Sequence, residues 1–368
     1  MTAEYAQDPS APSALFASAY CLAKLDRYDQ AVQDWEKMIR QYPDHEQVEE
    51  ALYQQGIGEI KLERNQGARK TLDTFVSRYP TSKRMGEAYY WLGILADKNN
   101  DLKVAETYLK AAIRVTTNTS VQKRTLYLVP VLQKQKKYVE AADTLQPLIQ
   151  TSIEIPSALL EWLARYRLQH KAYPQAQEAS EHLVQTTRKA IWKQIGFYLQ
   201  GMSMIHQGQL KRAEKALKQA LEADVKTREG VQAALKLGEI KLANNELVDA
   251  VTYFEKAGEG ASTSEYIDLR VQSYYGLGKI AAEKEDWQEA GRYFMSVAIL
   301  FDDTYLSPES LYKAAQAFGH LGKLADKRRA LKELFERYPD SEWTKISKPV
   351  PGVSGRSPNQ NNTPSIDM

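Results

Sequence analysis

The chain has 368 residues, 43% of them hydrophobic and 26% charged, and a formal net charge of +2. Charges so mixed in sign and so near balance give no case for a nucleic-acid partner, which is held by an excess of Lys and Arg. A single cysteine, Cys21, excludes an intrachain disulfide, and no run of 18 apolar residues exists to form a transmembrane helix.

Residues 1–12 read as an N-terminal extension. The opening MTAEYAQDPSAPS has neither a basic start nor an apolar stretch, so it is not a signal peptide. The first helix is expected from about Ser13, with Cys21 inside it as a small buried thiol. From there to residue 343 one beat governs the sequence. An alanine recurs at Ala31, Ala68, Ala105, Ala141, Ala176, Ala213, Ala250 and Ala290, and the register continues to Lys327; the steps are 37, 37, 36, 35, 37, 37, 40 and 37. Twelve residues before five of these alanines stands a glycine, which pairs Gly56 with Ala68, Gly93 with Ala105, Gly201 with Ala213, Gly238 with Ala250, and Gly278 with Ala290. Small residues at matched places let two antiparallel helices approach closely. The third repeat shows both faces: Tyr89, Leu92, Gly93 and Ala96, then Leu102, Ala105, Leu109 and Ala112, each spaced by three or four. One such hairpin cannot bury its apolar face; stacked neighbours can. The pattern therefore predicts an all-α, right-handed superhelical solenoid of about nine antiparallel hairpins.

Departures from the beat carry expectations of their own. In the fourth repeat Val129 replaces the glycine and Pro130 follows, which predicts a bend between Tyr127 and Val131. In the fifth, Ala164 stands in the glycine place and Pro174 lies in the first turn of a helix from Tyr173. The stretch 258–266, GEGASTSEY, accounts for the step of 40 and reads as a hinge. The last helix, Lys327 to Tyr338, reads as half-buried and not clearly a cap. Residues 344–368, rich in Pro, Gly, Ser and Asn, read as a disordered tail.

The runs AYYWLGILADKNNDLKVAETYLKAAI from Ala88 and SYYGLGKIAAEKEDWQEAGRYFMSVAI from Ser273 resemble the tetratricopeptide repeat family. The segments RYPTSKRMGEAYYWLG from Arg78 and RYPDSEW from Arg337 are similar to its bacterial cell-envelope branch, which includes accessory proteins of outer-membrane assembly and of the Tol–Pal system. The resemblance implies a non-enzymatic protein-binding scaffold. It also implies the periplasm or cell envelope if an export signal has been removed, and the cytoplasm otherwise.

No catalytic or metal-binding motif stands against this. The five histidines, His45, His170, His182, His206 and His320, show no H-E-x-x-H spacing, and no phosphate-cradling glycine loop exists. We expect no enzyme, no cofactor and no metal. In this family the first helix of each hairpin lines the concave side. The residue three before each glycine position then gives a ladder rich in aromatics: Phe16, Tyr53, Tyr90, Tyr198, Tyr275 and Tyr312, with Met202 one turn past Tyr198. Tyrosine offers a large amphipathic surface at low entropic cost, which suits a groove for a protein or peptide segment. The alternative is that these rings pack between neighbouring first helices; both hold if a ring packs on one side and presents its hydroxyl on the other. A second function stays open, a spacer or assembly platform contacted through the ends.

Overall fold

The computed structural model describes residues 8–116, 120–301 and 305–347. They are helical, without a strand among the described residues, and they divide into two compact units at His170/Lys171. The first unit holds the hairpins α1 (Ala11–Lys24)/α2 (Tyr28–Gln41), α3 (Val48–Lys61)/α4 (Asn65–Arg78), α5 (Met85–Lys98)/α6 (Leu102–Arg114) and α7 (Ser120–Lys134)/α8 (Tyr138–Leu145), then a 3₁₀ turn at Gln146–Gln150 and α9 (Ser157–Gln169). The second holds α10 (Tyr173–Thr186), α11 (Ala190–His206)/α12 (Leu210–Ala223), α13 (Arg228–Ala243)/α14 (Leu247–Gly260), a 3₁₀ turn at Ser264–Tyr266, α15 (Ile267–Glu283)/α16 (Trp287–Leu300), α17 (Leu306–His320)/α18 (Leu324–Arg337) and the short α19 (Glu342–Ser347). Within each unit every helix packs on the next in sequence, the pattern of a tetratricopeptide-like solenoid.

The two helices of a hairpin bury themselves differently. Second helices bury one stripe: Ala31, Val32, Trp35 and Met38 in α2, or Ala68, Thr71, Leu72 and Phe75 in α4, all on one side of a helix with about 3.6 residues per turn. First helices such as α5 are buried more widely, as Leu92, Gly93, Ile94, Leu95 and Ala96 show, because α5 packs against its partner α6 and against α4 before it.

The turn inside each hairpin follows the same beat. Five residues before each register position, the eight alanines and Lys327, the backbone enters the left-handed region: Asp26, Glu63, Asn100, Lys136, Lys171, Gly208, Asn245, Glu285 and Gly322 all have φ between 57° and 73°. The next amide then bonds back across the turn, as Arg27 N–H donates to the Leu22 carbonyl and Arg64 N–H to that of Glu59, which satisfies carbonyls a helix end leaves open. Only two of these nine positions are glycine, so residue type alone does not mark them.

Two expectations need correction. Cys21 is exposed, not buried. Helix α7 runs from Ser120 to Lys134 with Pro130 inside it and with Val129 and Val131 fully buried on either side. Order extends past residue 343, because Ser341 and Thr344 form a helix-starting turn in which the Thr344 hydroxyl donates to the Tyr338 carbonyl at 2.7 Å. Thr344 lies five residues after Pro339, as buried Val48 and Met85 lie five after Pro43 and Pro80, so α19 stands in the register of a first helix. Glycines 258 and 260 lie in the last turns of α14, with Gly260 against the Val225 carbonyl, and the stretch 258–266 ends in the 3₁₀ turn. The first helix starts at Ala11, and the rest of the expected tail, 348–368, lies outside the described residues.

Candidate partner-binding surface

The glycine register sets how close the helices of a hairpin come. A side chain placed on Gly93 would lie 2.7 Å from Leu109 Cγ, and one on Gly201 at the same distance from Leu217 Cγ; the Ala105 and Ala213 carbonyls follow at 3.4 Å. Gly56 meets Leu72 in the same way, Gly238 meets Phe254, and Gly278 meets Phe294. Each glycine thus clears room for the Leu or Phe one turn past the register alanine. Ala68, Ala105, Ala213, Ala250 and Ala290 are themselves fully buried. The column four residues after each alanine carries this signal in the sequence: Leu72, Leu109, Leu217, Phe254 and Phe294.

This packing holds the aromatic ladder in place on successive first helices. In the first unit, Tyr53 of α3 donates its hydroxyl to Glu87 Oε2 of α5 at 2.9 Å. Its ring packs against Phe75 and lies under the Arg84 guanidinium. Arg84 in turn forks onto both oxygens of Glu50 at 3.0 and 3.1 Å and reaches Glu87 at 3.0 Å. Burial first, then the charge and hydrogen bond of Glu87, hold the Tyr53 phenol far above its ordinary pKa. One repeat on, Tyr90 meets Tyr127 of α7 edge to face at 5.7 Å and also touches Trp91; both tyrosines are half-buried. Phe16 is half-buried against the first core cluster.

The second unit repeats the device. Tyr275 of α15 donates to Glu309 Oε1 of α17 at 2.6 Å, 34 residues on, as Tyr53 does to Glu87. Burial and that carboxylate push its phenol well up. Tyr312 packs on Trp343 with ring centres 5.2 Å apart. Tyr198 is buried and Met202 half-buried. Tyr90 thus packs on the next first helix through Tyr127, whereas Tyr53 and Tyr275 pack their rings on Phe75 and Phe294 of their own second helices and give their hydroxyls to carboxylates of the next first helix. In the first unit Tyr90 and Tyr127 stay half-open, and in the second Tyr312 does.

The acids Glu50, Glu87 and Glu309 were not legible as part of the ladder. Their signal is weak: a carboxylate one helix turn or less from the tyrosine register of its own repeat. Among the described residues no group of three His, Cys, Asp or Glu side chains is placed to hold a metal ion, and no helix is long and apolar enough to cross a membrane.

The family comparisons agree with the repeat reading. Residues 11–151 match the outer membrane lipoprotein family YfiO, and residues 198–265 and 309–341 match two tetratricopeptide repeat models. Among solved structures the chain is similar to BtubC (BKLC) from P. vanneervenii, at 13% identity over 69% of this chain and 99% of that one, with a TM-score of 0.44. It is similar to a tetratricopeptide repeat protein from Parabacteroides merdae, at 14% identity over 72% and 99%, with a TM-score of 0.41. The TPR2AB domain of yeast Sti1, in a complex with pHSP90, gives 15% identity over 72% and 98%, with a TM-score of 0.36. No curated protein matches the sequence.

Proposed function

We infer, from the premise that the chain carries tetratricopeptide repeats, that it is a non-enzymatic scaffold which binds a segment of a protein partner along its first helices. The observation that carries this is the aromatic register: Phe16, Tyr53 and Tyr90 in the first unit, and Tyr198, Tyr275 and Tyr312 in the second, hold the same position on their first helices, with Tyr127 packed beside Tyr90. The Tyr53–Glu87 and Tyr275–Glu309 bonds fix that face in advance, so a partner would pay little ordering entropy on the scaffold's side. Half-open rings such as Tyr90 and Tyr127 suit an apolar anchor, and Arg84 with Glu50 and Glu87 suits polar flanks of either sign. The match of residues 11–151 to an outer membrane lipoprotein family supports an assembly role in the cell envelope.

The test places a photo-crosslinking amino acid at Tyr90 or Tyr127, and as a control at Lys70, an exposed position on α4. Crosslinks to one defined polypeptide from Tyr90 and Tyr127 support the face as a binding surface. A partner that crosslinks from Lys70 and never from Tyr90 or Tyr127 refutes it.

A further inference from the structure

One register position breaks the rule of small size. The eight register alanines, from Ala31 to Ala290, are all fully buried. The ninth position holds Lys327 of α18, a half-buried cation. Room for its long side chain comes from α17, where a side chain on Gly319 would begin only 3.4 Å from Lys327 Nζ. Lys327 lines a cavity of about 670 Å³ that α15, α16, α17 and α18 form between them in the second unit. That volume is in the ordinary range for a ligand site.

The cavity joins aromatic surface to unspent positive charge. Its aromatic wall is buried Phe294 and half-buried Trp287 of α16, the latter stacked on His320 of α17 with ring centres 4.0 Å apart. Three ammonium groups line it: Lys279 of α15, Lys313 of α17 and Lys327. Lys279 stands one helix turn past Tyr275, so the cavity shares the face of the first helices that carries the tyrosine register. Lys313 is partly compensated, because its Nζ lies 3.5 Å from Glu309 Oε1, the oxygen that also accepts the Tyr275 hydroxyl. Among the described residues neither Lys279 nor Lys327 forms an ion pair, and Glu283, the carboxylate lining the cavity, is exposed and pairs with neither. With Glu283 and Glu309 both counted against the three lysines, one positive charge is left over.

We propose that this cavity receives one carboxylate side chain of a partner polypeptide, with a large apolar side chain beside it in the partner's sequence. The carboxylate meets Lys279 and Lys327, and the apolar group lies on Phe294 and Trp287. The left-over charge selects a monoanion by complementarity. A phosphoryl group, with a charge of about −1.5 to −2, would exceed it and face Glu283 and Glu309. The site rests on the first-helix face being a partner surface, as proposed above, and specifies the chemistry of the segment that reaches the second unit.

The experiment follows acetylation of individual lysines in the full chain by mass spectrometry as a peptide is added. The probe is Gly-Phe-Glu-Phe-Gly, acetylated and amidated so that its one charge is the side chain, with counterparts carrying Gln or phosphoserine in place of Glu. The expected result is saturable protection of Lys279 and Lys327, with exposed Lys70 of α4 unaffected. The Gln peptide should need about tenfold higher concentration for the same protection, and rising salt should weaken the Glu peptide. Lys327→Ala restores the register alanine, and circular dichroism checks that the variant is folded. It should raise the concentration of Glu peptide that protects Lys279 by about tenfold as well. Unchanged acetylation at millimolar Glu peptide overturns the proposal, as does equal protection by the Gln peptide or tighter protection by the phosphoserine one. A partner that crosslinks from Tyr90, combined with no charge-dependent protection of Lys279 and Lys327, overturns this site and leaves the binding face standing.

Discussion

Glu106 offers a quantitative test of how consecutive hairpins are tied. It sits in α6, one residue past the register alanine Ala105, and is 8% exposed. Its carboxylate accepts Lys110 Nζ and Lys137 Nζ at 2.6 Å each and Gln135 Nε2 at 2.9 Å. Gln135 and Lys137 belong to the turn between α7 and α8, so one acid joins two hairpins. Burial by itself would raise the carboxyl; the three hydrogen bonds outweigh it and bring the pKa from the usual 4.5 down to about 2. Because the folded value lies below the unfolded one, the stabilisation is complete above about pH 4.5 and is lost as pH falls through about 2. The gap corresponds to about 3 kcal/mol. Solvent screening at the two lysines, 40% and 43% exposed, leaves on the order of 1–2 kcal/mol. Glu106→Gln should therefore cost about 1–2 kcal/mol at neutral pH, since it removes the charge between two ammonium groups. It should also flatten the acid limb. Local opening is the right observable in a repeat protein, so the assay is amide hydrogen exchange of α6 to α8 at pH 7, 4 and about 2.5, corrected for intrinsic exchange. Equal protection in variant and parent at pH 7, or an acid loss of equal size in both, would refute the reasoning.

Two glycines make a matched pair. A side chain on Gly230 would lie 2.0 Å from the Asp224 carbonyl oxygen, so Gly230→Ala should lower stability by about 3 kcal/mol in a urea titration, whereas Gly67, exposed in α4 with its nearest neighbour at 3.5 Å, should gain about 0.5–1 kcal/mol on the same change. Lys136 has φ 60° in the turn between α7 and α8, and Lys136→Gly should raise the unfolding free energy by about 1 kcal/mol in a urea titration, with no gain meaning that the left-handed turn is not a cost there. Tyr275→Phe removes the bond to Glu309 and should cost about 1 kcal/mol while leaving the far-ultraviolet circular dichroism unchanged; an equal cost for the same change in a Glu309→Ala background would show that the two side chains are not coupled.

The repeat architecture was legible because it rests on side-chain volume at fixed spacing. Gly93 and Gly201 are where two backbones must come close, and no larger residue fits beside Leu109 or Leu217; such constraints are written in residue type, so the beat of about 37 reveals them. What only the tertiary structure decided are matters of which neighbour is present. Tyr53 and Tyr275 look like ligand-facing tyrosines until Glu87 and Glu309, each 34 residues on, are brought to their hydroxyls. Pro130 lies inside α7, and the fully buried valines on either side of it anchor the helix there. Cys21 has the composition of a buried position and the surroundings of an exposed one, because burial depends on a helix being there to cover it. Spacing determines the helices and the faces they present; long-range contact determines which of those faces are covered, because a side chain carries its own volume and polarity but not its neighbour.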